Sequence, residues 1–459
     1  MQPRTLRTGF LPVLLFMGCT HLFAQPQSYK PVKQDSMALV SIMKNFEVKY
    51  KSALSTLPAE NKSSMKDFYQ ARWDYAKTLF TEKEIFLDKA AQEYLDALVG
   101  EIRKANPVLQ QRDFSVFFDR TPVPNASYLC HGLIVFNMGL FTRLHNESQV
   151  AFILCHELSH FYLEHGEKAM RQLASNYESK EFKDKLKQIS KQEYGKRTEL
   201  EGLLKGVVIN TRRHSRDHEA QADSMAFQFL KNTRFNTGES LQALGLLDSI
   251  DKDHFTASED LPRIFNTSSY PFQPKWLRKE TGLLSGHAEL ETEDKALADS
   301  LKTHPDCKVR IALLAPFIGG STGAVNPVNE KTFRELQSAF RYEMIQFEQE
   351  KENLGATLYL AMLAERDQPG DPYLVSTIGS ILTQFYVAQK EHRLGLLVSM
   401  PSPYYDKGYN EYLQFIQNLH KEDYIQIAHY FLERYQPALA SDPMFSKAYE
   451  YNNKFFTKL

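Results

Sequence analysis

The sequence has few cysteines, almost no net charge and no long apolar run after its first residues. Its four cysteines are Cys19, Cys130, Cys155 and Cys307. The three that follow the N-terminal apolar run are too few, and odd in number, for a disulfide framework. Lys and Arg total 55 against 56 Asp and Glu, which does not indicate a nucleic-acid partner. No later apolar run approaches the ~18 residues of a membrane-spanning helix, so we predict no transmembrane helix.

The N-terminal segment has the composition of an export signal. Arg4 and Arg7 precede a short apolar stretch, Gly9–Gly18, and a cleavage site follows at Ala24. In the alternative, the signal ends at Cys19 and this cysteine is lipidated, which would tether the protein to a membrane. We therefore expect an exported protein.

The hydrophobic pattern predicts a mainly helical chain with a small β-sheet. Apolar residues at helical spacing predict a helix over 85–104, and β-forming residues predict a strand at 114–120, followed by two short extended pieces. The charged stretch 167–206 is predicted to be solvated helix. After the Gly- and Pro-rich segment 319–329 the chain is predicted to be almost wholly helical, and its spacing permits helix pairs of the tetratricopeptide kind.

The stretch VAFILCHELSHFYLEHG, residues 150–166, places polar residues in an otherwise apolar segment. His156 and His160 are four residues apart, so both imidazoles lie on one face of a helix and can reach one zinc ion. Glu157 lies beside the first histidine, where it can take a proton from a zinc-bound water of pKa ~7. This set of residues suits peptide-bond hydrolysis. The adjacent Cys155 is predicted to pack in the core.

A second motif supplies candidates for the third ligand that catalytic zinc requires. In RRHSRDHEAQAD, residues 212–223, Glu219 and Asp223 are also four residues apart. Glu219 can bind zinc while Asp223 orients a histidine. His214 and His218 have the same spacing, which makes His218 a rival third ligand. Spacing alone does not separate the two, although the face shared with Asp223 modestly favours Glu219.

These motifs together resemble a known family. HELSHFYLEH followed by SRDHEAQAD is similar to the HExxH and ExxxD helices of the HtpX/CAAX-prenyl-protease-type zinc metallopeptidases, the gluzincins of peptidase family forty-eight. The resemblance continues through NASYLCHGLIVFNMGLF upstream and THPDCKVRIALL downstream, and covers roughly residues 85–315. The chain departs from the family in having Cys130-His131 where Pro-Gly is usual, and in long gaps on both sides of the second motif.

The resemblance implies roles for the matching residues. His156, His160 and Glu219 would bind a single zinc ion, Glu157 would be the general base and acid, and Asp223 would support the ligands. Without membrane helices, the chain is similar to the family's exported branch. That branch implies a periplasmic location and a role in envelope protein quality control, with an outer-membrane lipoprotein or a secreted protein as alternatives.

The resemblance also implies an active-site edge strand, with which a substrate backbone would pair by strand addition; its residues are Leu133, Ile134, Val135 and Phe136. His304 is interpreted either as part of a structural loop or as a residue that approaches the zinc and gates or assists catalysis. Arg310 is expected to be a buried ion-pair partner. His165 is expected to be a structural residue at a helix end, favoured by the helix dipole.

The predicted fold is α+β and predominantly helical: a zincin-like metallopeptidase domain with a small β-sheet, followed by an α-helical, tetratricopeptide-like domain. We divide the chain into a signal peptide (1–24), an N-terminal helical segment (25–84), a zinc metallopeptidase domain (85–318), a linker (319–329) and a C-terminal helical domain (330–459).

The predicted function is that of an exported zinc metalloendopeptidase acting on protein or peptide substrates. The alternative is a chaperone or assembly adaptor whose C-terminal helices bind a protein partner while proteolysis is latent or gated. A zinc hydrolase that acts on other substrates is a third interpretation.

Overall fold

The computed structural model describes residues 29–191, 216–250, 255–278, 307–318, 327–402 and 404–459. The signal peptide with Cys19, His214, His304 and residues 319–326 of the predicted linker lie outside the described residues, so the corresponding hypotheses stay predictions. Among the described helices, none combines the length and the apolar character that crossing a membrane requires.

Helices make up most of the described chain. The first nine are α1 (Ser36–Ser55), α2 (Lys62–Thr81), α3 (Lys89–Ala105), α4 (Pro107–Gln110), α5 (Met138–Phe141), α6 (Glu147–Tyr162), α7 (His165–Glu178), α8 (Lys180–Lys191) and α9 (216–231). They are followed by α10 (Glu239–Leu247), α11 (Ala257–Phe265), a 3₁₀ turn (Pro274–Leu277), α12 (Cys307–Ile318), α13 (Glu330–Glu350), α14 (Leu354–Asp367), α15 (Pro372–Lys390), α16 (Leu394–Leu397), α17 (Lys407–Asn418), α18 (Lys421–Leu439) and α19 (Pro443–Phe456).

A four-stranded sheet accompanies the helices, so the predicted α+β, predominantly helical fold is confirmed. The strands, in the spatial order β1-β2-β4-β3, are β1 (Ile85–Phe86), β2 (Ser115–Asp119), β3 (Ala126–Cys130) and β4 (Leu133–Asn137). The strand expected at 114–120 and the two extended pieces after it are therefore present. The helix expected over 85–104 begins only at Lys89, because Ile85 and Phe86 pair with β2.

The prediction that Leu133-Ile134-Val135-Phe136 forms an open edge strand is wrong. These residues belong to β4, which pairs in parallel with β2 on one side and antiparallel with β3 on the other. Both backbone edges of β4 are therefore already hydrogen-bonded. The sheet ends in β1 on one side and in β3 on the other, and an added backbone strand would have to pair at one of these two edges.

Helices cover both faces of the sheet. Side chains alternate along a strand, and one set packs in a core with α3 and α6: Val116, Phe118, Ile134 and Phe136. The other set packs in a core with α1 and α2: Phe117, Leu133 and Val135. The N-terminal helical segment therefore forms a complete layer of the fold on the second face of the sheet.

Helix α6 is buried along most of its length. Every residue from Glu147 to Ser159 is buried, as expected for a helix with apolar residues on most of its circumference. The Asn146 side chain caps the helix by accepting a hydrogen bond from the backbone N–H of Gln149 at 3.1 Å. Glu147 accepts a hydrogen bond from the backbone N–H of Asn329 at 2.9 Å, which joins the start of α6 to the start of α13.

A second hydrophobic core unites the C-terminal helices with residues that precede the predicted linker. Phe265 in α11 stacks on Phe415 in α17, with ring centroids 6.1 Å apart. Conversely, Phe340 in α13 packs on Phe141 at 5.3 Å and belongs to the core around α6. The division at 319–329 stays a prediction. Residues before it pack with the C-terminal helices, and residues after it pack in the core around α6.

A buried cation fixes α13 and the N-terminal arm, the residues 29–35 that precede α1, to the sheet. Arg120, which follows β2, donates to Glu350 Oε2 at 2.7 Å and to Glu343 Oε2 at 3.4 Å, and it is fully buried. Glu343 Oε1 accepts hydrogen bonds from the Tyr29 hydroxyl and the Val32 backbone N–H, both at 2.7 Å. One buried ion pair therefore holds three segments that are distant in sequence.

Removal of this cation should destabilise the protein strongly. Arg120→Met would leave the buried carboxylate of Glu343 without its cation, which costs about 3–5 kcal/mol in comparable cases. We expect a clearly lower midpoint of thermal unfolding, followed by circular dichroism. The control is Arg341→Met, because Arg341 and Asp367 form a partly exposed pair at 2.9 Å worth less than about 1 kcal/mol. Equal shifts for the two variants would contradict the assigned role.

Candidate active site and metal centre

The polar residues of α6 lie where three helices meet. Helix α6 carries His156, Glu157 and His160, helix α9 brings Glu219 and Asp223 to them, and helix α12 brings Arg310. Among these, His156, Glu157, Asp223 and Arg310 are buried. Buried polar groups need partners inside the protein, and this set supplies them to one another.

Three of these side chains present ligand atoms to one point. The Nε2 atoms of His156 and His160 are 3.0 Å apart. The Glu219 carboxylate places Oε2 3.5 Å from the first and Oε1 3.3 Å from the second. A tetrahedral zinc site with bonds of ~2.0–2.1 Å has ligand atoms ~3.3 Å apart, so these residues fit a zinc ion. Within the described ranges, this trio is the group whose ligand atoms can share a metal.

The rival third ligand, His218, faces another partner. Its ring stacks on that of His165, with centroids 4.3 Å apart and an interplanar angle of 9°. The geometry therefore favours Glu219. His165 lies at a helix end, as expected, but it is the first residue of α7, and the dipole at a helix N-terminus does not favour a protonated histidine. Instead, its Nδ1 lies 3.0 Å from Nδ1 of His160, and its Nε2 lies 3.2 Å from Oε1 of Gln221.

A buried ion pair orients one of the histidines. Asp223 Oδ1 lies 2.9 Å from Nδ1 of His156. Arg310 donates to Asp223 from Nε and Nη2, both at 2.7 Å, in the two-pronged arrangement typical of strong arginine–carboxylate pairs. Its Nη1 also lies 3.2 Å from Glu219 Oε2. Arg310 is thus the buried ion-pair partner that the sequence predicted.

The electrostatic surroundings favour a bound cation. Burial raises the pKa of Glu219, but hydrogen bonds from His156 and His160 outweigh it and hold the pKa well below the usual value. Burial also acts on Asp223, yet its hydrogen bonds with Arg310 and His156 keep its pKa low. Burial lowers the pKa of His156, but its hydrogen bonds with Asp223 and Glu219 outweigh this and raise the pKa to about 10. The two carboxylates therefore favour positive charge at the imidazole nitrogens.

Glu157 lies in the cleft beside the trio. The cleft has a volume of about 250 Å³, and its lining residues are Asn125, Ala126, Ser127, Tyr128, His156, Glu157, His160, Gly166 and Glu219. Glu157 Oε2 accepts a hydrogen bond from the backbone N–H of Tyr128 at 2.6 Å. Burial raises the pKa of Glu157, and the histidines and this N–H only partly oppose it. A carboxyl group with a raised pKa is suited to taking up and releasing a proton.

Strand β3 forms one wall of the cleft, and helix α2 contacts the end of β3 that contains Leu129. The pairing of β3 with β4 shifts between Tyr128 and Cys130, which makes Leu129 a bulge. Arg72 of α2 donates to the carbonyl oxygen of Leu129. It fits there because residue 166 is glycine: a Cβ on Gly166 would lie 2.8 Å from the guanidinium. No signal in the sequence points to Arg72, because it lies 57 residues from its partner and belongs to no motif.

A sequence model of peptidase family M48 matches residues 89–316. The chain belongs to peptidase family M48. The matched segment contains β2 to β4, the helix with the HExxH motif and the helices that carry Glu219 and Arg310, so the family resemblance of these motifs is confirmed. Membership makes the chain a metallopeptidase by family. No curated protein is significantly similar to it. Helices α1, α2 and α13 to α19 lie outside the segment that the M48 model matches.

Two substitutions should separate the candidates for the third ligand. Glu219→Ala removes the carboxylate that faces both Nε2 atoms, so we expect elemental analysis of the purified variant to find no bound metal. His218→Ala should bind metal as the unmodified protein does, because the His218 ring stacks on His165 and lies outside the trio. Retention by Glu219→Ala together with loss by His218→Ala would reverse the assignment.

Proposed function

We propose that this M48 metallopeptidase is an exported zinc endopeptidase that hydrolyses peptide bonds of protein or peptide substrates. The observation that carries the proposal is the convergence of three side chains, His156, His160 and Glu219, whose nearest ligand atoms are 3.0–3.5 Å apart, beside a cleft that contains Glu157. The N-terminal sequence supports export. The resemblance to the exported branch of the family suggests envelope protein quality control as the process.

In this mechanism a zinc ion held by His156, His160 and Glu219 would polarise the scissile carbonyl group and acidify a water molecule. Glu157 accepts a proton from that water and returns it to the leaving amine. Its Oε2 stays bound to the Tyr128 N–H, which fixes the orientation of the carboxyl group. Asp223, held by Arg310, keeps the His156 ring in the orientation that directs Nε2 toward the ion.

The substrate backbone is proposed to lie along β3. This strand ends the sheet, and residues Asn125 to Tyr128 line the cleft. An extended peptide that adds to a sheet edge gains backbone hydrogen bonds, which favour unfolded segments over folded domains. The contact between Arg72 and Leu129 occupies the bulge at the far end of β3, so a bound peptide would pair over the short stretch beside the trio.

A second candidate function is that of a chaperone or assembly adaptor. It is favoured by exposed apolar side chains in the C-terminal helical part, where Leu396 is 76%, Met400 65% and Tyr404 61% exposed. Apolar patches that stay exposed commonly mark surfaces that bind other proteins. In this alternative the C-terminal helices bind the partner, and the zinc site is latent or gated.

Glu157→Gln tests the proposed chemistry. The amide keeps the shape of the side chain but cannot take up the proton, so hydrolysis of an unfolded substrate such as casein should fall by about 10²–10⁴-fold. Zinc content should stay at that of the wild type, because Glu157 contributes no ligand atom to the trio. Casein fragments are followed by electrophoresis, and zinc by elemental analysis of the same sample.

The matched control is Glu335→Gln, an exposed substitution on α13, which should leave the rate unchanged. Undiminished hydrolysis by Glu157→Gln would refute the assigned general base. Absence of zinc from wild-type protein prepared without chelators would refute the metal centre. In cells, a Glu157→Gln variant that retains full biological activity would support the adaptor function instead.

A further inference from the structure

We propose that His165 is a positioning residue for the metal ligand His160: it accepts a hydrogen bond from the Nδ1–H of His160 and so holds the ring with Nε2 toward the ion. The inference rests on the zinc site of the proposed function. It adds a residue that makes no direct contact with the metal or the substrate.

The two candidate ligand histidines have different partners at their second nitrogen. His156 has the carboxylate of Asp223 at 2.9 Å, whereas His160 has Nδ1 of His165 at 3.0 Å. Histidines that bind metals usually donate their other N–H to a carboxylate, a carbonyl oxygen or a water. A neighbouring imidazole fills that place for His160, and it is buried, with 3% of its surface exposed.

The hydrogen-bond partners fix one consistent set of tautomers. Two imidazole nitrogens 3.0 Å apart require one donor and one acceptor. When Nε2 of His160 is committed to a metal, its Nδ1 carries the hydrogen, so Nδ1 of His165 must accept. Nε2 of His165 then carries a hydrogen of its own, and it lies 3.2 Å from the carbonyl oxygen of the Gln221 side chain. In this assignment each contact joins one donor to one acceptor, and no two donors or two acceptors face each other.

The position of His165 excludes direct binding to the same ion. It contacts the Nδ1 side of the His160 ring, whereas the trio of ligand atoms lies on the Nε2 side. The stacked ring of His218 covers one face of His165 at 4.3 Å, which restricts rotation of the ring. A fixed ring presents the accepting nitrogen in one direction, which is the property that positioning requires.

Two substitutions at this residue can separate its two nitrogens. In His165→Asn the side-chain oxygen can take the place of Nδ1, next to His160. In His165→Gln the longer side chain places its polar end near the position of Nε2, toward Gln221, and leaves His160 without its acceptor. The zinc dissociation constant of each purified full-length variant is measured by competition with a chromogenic chelator. His392→Gln, exposed and remote from the trio, is the control.

We expect the Gln variant to bind zinc about tenfold more weakly than the wild type, and the Asn variant and the control to remain close to it. Equal affinities for Asn and Gln, whether both reduced or both unchanged, would overturn the proposal, because a merely structural role does not distinguish the two nitrogens. If either variant fails to fold, His165→Asp and His165→Leu form the equivalent pair, one with and one without an acceptor. Equal affinities for that pair would overturn the proposal in the same way.

Failure of this inference differs from failure of the proposed function. A wild-type protein that binds zinc while the Asn and Gln variants bind it equally would refute only the role of His165. A wild-type protein that binds no zinc would refute the metal centre itself, and the positioning role with it.

Discussion

The ion pair between Arg310 and Asp223 is the interaction on which the site depends. Helix α6 is buried on all sides, and a buried histidine or carboxylate is tolerated only with partners. Arg310 supplies a cation that is itself 4% exposed, and its two hydrogen bonds to Asp223 fix the carboxylate that holds His156. Loss of either member would leave a buried charge unpaired. The relative positions of α6, α9 and α12 are therefore set by electrostatics as well as by apolar packing.

The N-terminal helices support one wall of the cleft, although the residues that line it belong to the segment matched by the M48 family. Helices α1 and α2 cover the face of the sheet opposite α6, and Arg72 holds the bulge at the end of β3. Farther along, Glu343 binds the arm at Tyr29 and Val32 to α13. The contact of Arg72 fixes the strand that borders the cleft from its far side. The segment at 29–84 thus supports the edge strand and does not merely decorate the surface.

Local patterns predicted the parts of the site that depend on neighbours in sequence. The pair of candidate ligand histidines follows from the HExxH spacing, and strands β2 to β4 follow from the pattern of β-forming residues. The order of the strands does not, because pairing joins residues that no local pattern relates. The edge position of β4 was implied by the family resemblance, and its pairing with both β2 and β3 contradicts it. The choice between Glu219 and His218 also needed the structure, since adjacent residues on a helix point about 100° apart and only packing decides which faces α6.

The same packing means that the candidate metal site is preorganised. Arg310 and Asp223 bind each other, and Asp223 and His165 each contact Nδ1 of one histidine. A cation therefore meets ligand atoms already 3.0–3.5 Å apart, and little conformational entropy is lost on binding. In small zinc-dependent folds, metal binding supplies the folding energy. Here a large apolar core surrounds α6, so we expect the fold not to depend on a bound ion.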